Sequence, residues 1–242
     1  MGRATSDAKL FDIMYTCRAM RRLKTDPVPD EVLLQLVDAA LQGPSGSNAQ
    51  NWAFIIVKDA AQKRAVQVIW QKTWRFYTST FSHAELRPGE NLEQRQRMTA
   101  AGTHMVEHLH EAPAIIFVGV KKDEALAKVL QSLSTVRAAL REFGALGTVK
   151  LLSGGSRAGA VADASTAYPA VQNLLLAARA LGLGAVLTTP HFFVPGEFET
   201  QLGIPTTWSL HAAIPVGYPK GKFGPVRRPP PGAVVHWDRY RG

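Results

Sequence analysis

The chain has 242 residues, 46% of them hydrophobic and 19% charged, with a formal net charge of +9 and a single cysteine, Cys17. That composition excludes a disordered chain, and the lack of any 18-residue apolar run excludes a membrane-spanning helix. One cysteine excludes an intramolecular disulfide framework and fits a reducing compartment, so the expected location is cytoplasmic. The positive charge is compatible with nucleic acid, a membrane surface or anionic small ligands. It gathers at Arg18-Arg21-Arg22-Lys24, Lys72-Arg75, Lys121-Lys122 and Lys220-Lys222-Arg227-Arg228 rather than in one stripe, and no nucleic-acid-binding motif accompanies it. Met1–Asp7 lacks the apolar core of a signal peptide. Gly2 and Ser6 fit a short myristoylation pattern, against which the cytoplasmic reading is kept.

In chain order, a helix is predicted over 8–22, with Leu10, Phe11, Met14 and Cys17 on one face. The stretch Thr25-Asp26-Pro27-Val28-Pro29-Asp30 breaks it, and a second helix follows over 31–42. A loop of small and amide-bearing residues, Gly43-Pro44-Ser45-Gly46-Ser47-Asn48-Ala49-Gln50-Asn51-Trp52, leads into a buried strand over 53–58. Asp59 opens a helix that runs to about Tyr77. The polar residues 78–97, with Pro88-Gly89, read as a loop or insertion within an expected lid at 70–100. A helix over 98–110 and a strand over 114–120 come next, then a helical stretch over 123–143. The glycine-rich span 144–163 is expected to be a flexible loop. An apolar helix over 164–181 ends at Gly182, where glycine suits the left-handed position after a helix. A strand at 185–188, a short helix near 195–202, a strand at 209–217 and an extended tail at 225–242 complete the chain. Alternating strands and helices give a single layered α/β or α+β domain.

Three segments carry the chemistry. In Arg18-Ala19-Met20-Arg21-Arg22, guanidinium forks suit a phosphate; a solvated cationic face at a helix end is the alternative. The loop at 43–52 offers Ser45, Ser47, Asn48 and Gln50 as hydroxyl and amide groups able to read the edge of a heterocycle, and Gly46 admits close backbone approach. At Leu187-Thr188-Thr189-Pro190-His191-Phe192 a strand end delivers two threonines to the place where ligands collect in α/β sheets. Pro190 has no N–H, so a backbone donor there must come from Thr189 or a neighbour.

With these segments, and with Asp26-Pro27-Val28-Pro29, Ala177 to Gly184, Leu202-Gly203-Ile204-Pro205 and Ile214 to Pro219, the chain resembles the FMN-dependent nitroreductase family from Phe11 to Asp238. The resemblance implies an α+β fold with a central, mostly antiparallel sheet flanked by helices, in an intertwined homodimer. It implies FMN at the subunit interface and NAD(P)H as co-substrate. Arg18, Arg21 and Arg227 or Arg228 would hold the phosphate and ribityl chain. Ala19 stands where the family often has serine. Pro44, Ser45, Gly46, Asn48 and Gln50 would come from the partner subunit and pack along the ring. Leu187 and Thr188 would line the flavin site, and Thr189 would lie near N5 in place of the Glu-Gly pair of some members. Trp74, Tyr77, His191 and Phe192 would wall the substrate pocket. No side chain is expected to act as acid or base, because the flavin carries the redox chemistry. The activity implied is reduction of a nitroaromatic, quinone or similar planar acceptor by a ping-pong mechanism.

Alternatives are a flavin-binding or storage protein, and a related flavin dehydrogenase or dehalogenase. His104-Met105-Val106-Glu107-His108 also fits an inverted zinc-hydrolase pattern, but it needs a third ligand that no sequence reading places, and no metal is expected. Gly154-Gly155 to Gly159 looks like a phosphate loop, yet no strand precedes it and no Lys-Ser/Thr follows.

Overall fold

The computed structural model describes residues 9–81, 84–86, 89–122, 129 and 132–240, with the backbone alone at 155–158. Gly2 and Ser6, Pro88 and the predicted helix start at 123 lie outside these residues. The sheet is set by its most apolar strand, β2 (Ala114–Lys121), buried along seven of its eight residues. β2 pairs antiparallel with β1 (Trp52–Val57) on one side and with β4 (Trp208–Gly217) on the other, and β3 (Gly184–Ala185) pairs antiparallel with β4. The order is β1-β2-β4-β3.

Successive side chains of a strand point to opposite faces, and here both faces are covered, which is why the strands read as continuous apolar runs. On one face Ile116, Val118, Ala212, Ile214 and Val216 pack against α2 (Asp30–Leu41), through Leu33, Leu36 and Ala40, and against α6 (Gly155–Ala180), through Ala170, Val171, Leu174 and Ala178. On the other, Ile115, Phe117, Leu210 and Ala213 meet Val66 and Trp70 of α3 (Ala60–Phe81), Met105 and Val106 of α4 (Leu92–Glu107) and Phe198 of α7 (Glu197–Leu202). The alternation slips once. Val118 faces Ala212 and Gly119 faces Leu210, which leaves His211 as an extra residue in β4. Such a bulge bends the strand and re-aims its side chains.

Four elements differ from the sequence reading. The helix predicted over 8–22 is α1, Leu10–Thr16. Residues 17–24 peel away because the sheet edge and the chain after β4 offer them backbone bonds: Met20 N–H donates to Ala185 O at 3.1 Å, and Lys24 N–H to Tyr218 O at 2.7 Å. The loop expected over 78–97 shrinks to the residues between α3 and α4. α3 continues to Phe81, and the Asn91 side chain accepts from Gln94 N at 2.7 Å to cap α4 from Leu92. The span 144–163, expected as a flexible loop, is helical. α5 (Leu133–Ser153) absorbs its break at Gly144 (φ 66°, ψ −178°), and α6 starts at Gly155 through the alanine-rich 158–164. The five glycines of this span lower its helix propensity, but the alanines and leucines among them are enough to keep it helical. The strand expected at 185–188 is the short β3 plus an isolated bridge from Thr188 to Ala213. The described tail residues form a 3₁₀ turn at Pro231–Ala233 and otherwise neither helix nor strand. Among the described residues no helix is long and apolar enough to cross a membrane.

The end of α4 is finished by side chains from α3. Gln67, buried, donates to Val106 O at 2.9 Å and Glu107 O at 2.7 Å. Lys63 reaches Ala112 O at 2.8 Å just beyond. Helix C-terminal carbonyls lack partners within the helix and need such donors. Gln67→Leu leaves both carbonyls without this donor; the expected loss is about 1–3 kcal/mol in stability, measured by denaturant unfolding.

Candidate functional site

Residues 17–24 run between β3 and the segment after β4, and this lays Arg21 beside the end of β3. Arg21 is half-buried and lines a cavity of about 320 Å³ together with Thr188, Thr189 and Pro190. Its walls are aromatic. Trp74 stacks on Tyr77 (centroids 5.3 Å apart) and Tyr77 on Phe81 (5.0 Å), all on one face of α3, and Phe193 leans on Phe76, Tyr77 and Phe81. Gly102 of α4 faces Trp74 so closely that an added Cβ would lie 2.3 Å from the indole. At the outer end Arg95 donates to both oxygens of Glu90 and to the carbonyls of Ala84 and Glu85, so its fork is spent on its own chain.

Arg21 is different. No carboxylate among the described residues pairs with it, and burial, followed by the neighbouring Arg18, pushes its pKa down. A half-buried guanidinium without an anion is costly unless a ligand completes it. Flat aromatic walls, two threonines and one uncompensated cation suit a planar, electron-rich ring that carries negative charge.

Arg18 lies outside the cavity, exposed, and the tail passes it: a Cβ added to Gly224 would sit 3.7 Å from Arg18 Nη1, and Val226 N–H donates to Tyr15 O at 3.0 Å. Arg227 and Arg228 follow directly and are exposed, with Arg228 Nη1 bonded to the Arg227 carbonyl. Ala19 and Leu187 are exposed as well.

The loop after α2 enters none of this cavity. Pro44, Gly46, Asn48 and Gln50 are exposed and Ser45 is partly so. Ser47 (φ 51°), Asn48 (φ 54°) and Gln50 (φ 49°) are three of only four described non-glycine residues with positive φ, a conformation that costs of order 1–3 kcal/mol each. Such strain persists only where surroundings impose it.

Of the predicted pocket residues, Trp74 and Tyr77 line the cavity, but His191 and Phe192 do not. In the 3₁₀ turn Pro190–Phe193 residues three apart share a face, so Pro190 and Phe193 point into the cavity while Phe192 faces solvent. The spacing from Pro190 was the available signal for Phe193. Arg95 and Glu90 sat in a segment too polar for periodicity to order. His191 is turned into the protein, and both ring nitrogens are buried without a partner. Burial first, then His211, pushes its pKa from 6.5 to about 4. His211, the bulge residue, bonds Ser209 Oγ at 3.2 Å, and Ser209 donates to Asp163 of α6 at 2.9 Å.

The His104–His108 pair faces itself: the rings pack 4.3 Å apart, and His108 Nδ1 bonds Glu111 at 2.9 Å rather than Glu107. No group of three His, Cys, Asp or Glu among the described residues is placed to hold a metal ion. The phosphate-loop reading of Gly154–Gly159 falls on the start of α6.

The match that decides the family is to the model of the nitroreductase family, over residues 16–218. The chain belongs to the nitroreductase family. It is a flavoprotein oxidoreductase of that family with the nitroreductase fold. Among curated relatives it is 27% identical to an NADH dehydrogenase of Thermus thermophilus, over 91% of either chain. It is 25% identical to an iodotyrosine deiodinase of Thermotoga neapolitana, over 87% of this chain and 88% of that one. Among solved structures, an oxidised iodotyrosine deiodinase bound to FMN and 3-iodo-L-tyrosine aligns with TM-score 0.65 at 24% identity, covering 96% of this chain and 100% of that one. A BluB-like flavoprotein from Clostridium difficile aligns with TM-score 0.64 at 19% identity, covering 96% and 100%.

The buried, neutral His191 ties stability to pH. Its folded pKa lies below its unfolded value, so its contribution is complete above pH 6.5 and is lost as pH falls, because only the unfolded chain takes up the proton. Between pH 6.5 and 5 this removes about 1.6 kcal/mol, the slope approaching roughly 1.4 kcal/mol per pH unit once the unfolded imidazole is mostly protonated. His191→Phe should flatten that part of the profile, read from unfolding midpoints across this range.

Proposed function

We propose that this protein is an FMN-dependent oxidoreductase that takes hydride from NAD(P)H and reduces a nitroaromatic, quinone or similar planar acceptor by a ping-pong mechanism. The observation that carries the reading is Arg21, a half-buried cation without a carboxylate partner among the described residues, at the inner end of an aromatic-walled cavity. The donor set fits FMN: a cation and two threonines around a ring-sized space, with Arg18 and the basic tail just outside it. When bound, FMN supplies hydride and electron transfer, which no side chain here can perform.

The chain's own residues bind and orient. Arg21 holds a fixed positive charge beside the ring, and Arg18 with Arg227 or Arg228 neutralises the phosphate. Thr188 and Thr189 address the ring edge from the strand end, Thr188 being anchored by backbone bonds to Ala213. Trp74, Tyr77 and Phe193 exclude water and stack against nicotinamide and acceptor in turn. The NADH dehydrogenase among the relatives supports nicotinamide as the electron source.

The loop at 43–52 supports a homodimer as the working unit. It is strained and polar, and it is exposed away from its own chain's cavity, as a cradle for a partner's flavin would be. α5 agrees: of its described residues only Ala139 and Thr148 are buried, while Phe143, Leu146 and Val149 stand in solvent. Reductive dehalogenation of an aromatic is the second reading, favoured by the deiodinases among the relatives.

Purified protein mixed with NADH or NADPH without oxygen should lose its flavin absorbance and regain it when a quinone or nitroaromatic is added. Regain with release of iodide from an iodophenol selects the second reading. No bleaching by either nucleotide contradicts both readings and leaves a flavin-binding protein. Arg21→Ala removes a charge-assisted contact worth about 1.5–3 kcal/mol, so FMN should bind about 10- to 100-fold more weakly by fluorescence titration.

A further inference from the structure

The strained loop is held by one face of one helix. Thr166, buried on α6, accepts a hydrogen bond at its hydroxyl from Gly46 N–H at 3.1 Å, and its carbonyl accepts from Trp52 Nε1 at 3.0 Å. One turn further along, Gly43 lies so close to α6 that an added Cβ would sit 2.9 Å from Ala170 N. Pro169 lies between them. A proline within a helix gives no N–H to the carbonyl four residues back and opens the turn before it. The carbonyl four residues back is that of Ser165; the next one, that of Thr166, takes the indole N–H from outside the helix.

The loop's internal bonds are local and exposed: Gln50 N–H to Ser45 Oγ at 3.1 Å and Gln50 Nε2 to Asn48 Oδ1 at 3.1 Å. Exposed bonds of this kind exchange readily with water and cannot alone hold three residues at positive φ. The two bonds to Thr166 flank the strained stretch on both sides, at Gly46 and at Trp52. They fix its ends, and the conformation between them follows.

We infer that Thr166 is a positioning residue for the cofactor cradle: it touches no ligand, and it sets the geometry in which Ser45, Gly46 and Asn48 meet FMN. The inference rests on the reading of this loop as a flavin site. A preorganised cradle binds more tightly because the ordering cost is met before the ligand arrives. Thr166 is thereby distinguished from a core threonine, whose loss would lower stability and leave ligand affinity alone.

The test is FMN titration of the full-length protein, followed by flavin fluorescence and the visible absorbance band, with apo-protein melting measured alongside. Thr166→Val keeps the shape and removes the acceptor; it should weaken FMN binding at least tenfold and shift the bound-flavin band. Thr166→Ser restores the hydroxyl and should return affinity to within twofold of wild type. Trp52→Phe removes the second bond and should weaken FMN severalfold, which keeps the test open if Thr166→Val does not fold. The inference is overturned if Thr166→Val or Trp52→Phe folds and binds FMN with wild-type affinity and spectrum, or if Thr166→Ser is no better than Thr166→Val. Wild-type protein that binds no FMN overturns the cradle reading itself.

Discussion

The structure turns on a polar turn held in a conformation its own residues disfavour. Ser47, Asn48 and Gln50 sit at positive φ on the surface, and nothing in the same chain's cavity uses them. Their support comes from α6, which further along buries Ala170, Val171, Leu174 and Ala178 against the sheet. The helix is therefore committed twice, to the core and to the loop. Backbone strain of this kind costs of order 1–3 kcal/mol per residue and persists only where surrounding structure holds it.

The second constraint is electrostatic. The cavity contains two guanidinium groups, and the chain treats them differently. Arg95 is saturated by Glu90 and two carbonyls, so it fastens the outer wall and has little left for a ligand. Arg21 pairs with no carboxylate among the described residues, and Arg18 adds repulsion rather than relief. Behind the opposite wall His191 is kept neutral by burial. One fixed positive charge thus faces the aromatic space, which suits a cofactor that gains negative charge on reduction and an acceptor that is flat and uncharged.

Much of this was legible in the sequence because it rests on local chemistry. The strand β2 announced itself as an unbroken apolar run, the turn at Gly43–Trp52 by its small and amide residues, and the arginine pair by its spacing. What stayed hidden depended on distant partners. α1 stops at Thr16 because residues 17–24 find bonds on a sheet edge more than 160 residues away, which no helical periodicity reveals. α4 starts early because one asparagine caps it, and α5 and α6 are helical because a single glycine takes the whole break. The resemblance implies His191 in the pocket; the 3₁₀ turn rotates it into the protein and points Phe193 into the cavity instead. Thr166 carried no signal in the sequence, since a threonine in an apolar helix has many uses and only the fold shows which bond it accepts.

The claim on which the account stands is that one chain's loop completes the other chain's site. Co-expression of two defective chains tests it directly: Arg21→Ala in one, and Gly46→Trp, which fills the cradle, in the other. If the loop serves the partner, a mixed dimer collects both defects in one site and leaves the second site whole, so wild-type FMN affinity returns at up to one site per mixed dimer although each variant alone binds FMN weakly at every site. If the loop serves its own chain, every site in the mixed dimer carries one defect, and mixing restores nothing. Absence of recovery in a mixed dimer shown to have formed contradicts the account.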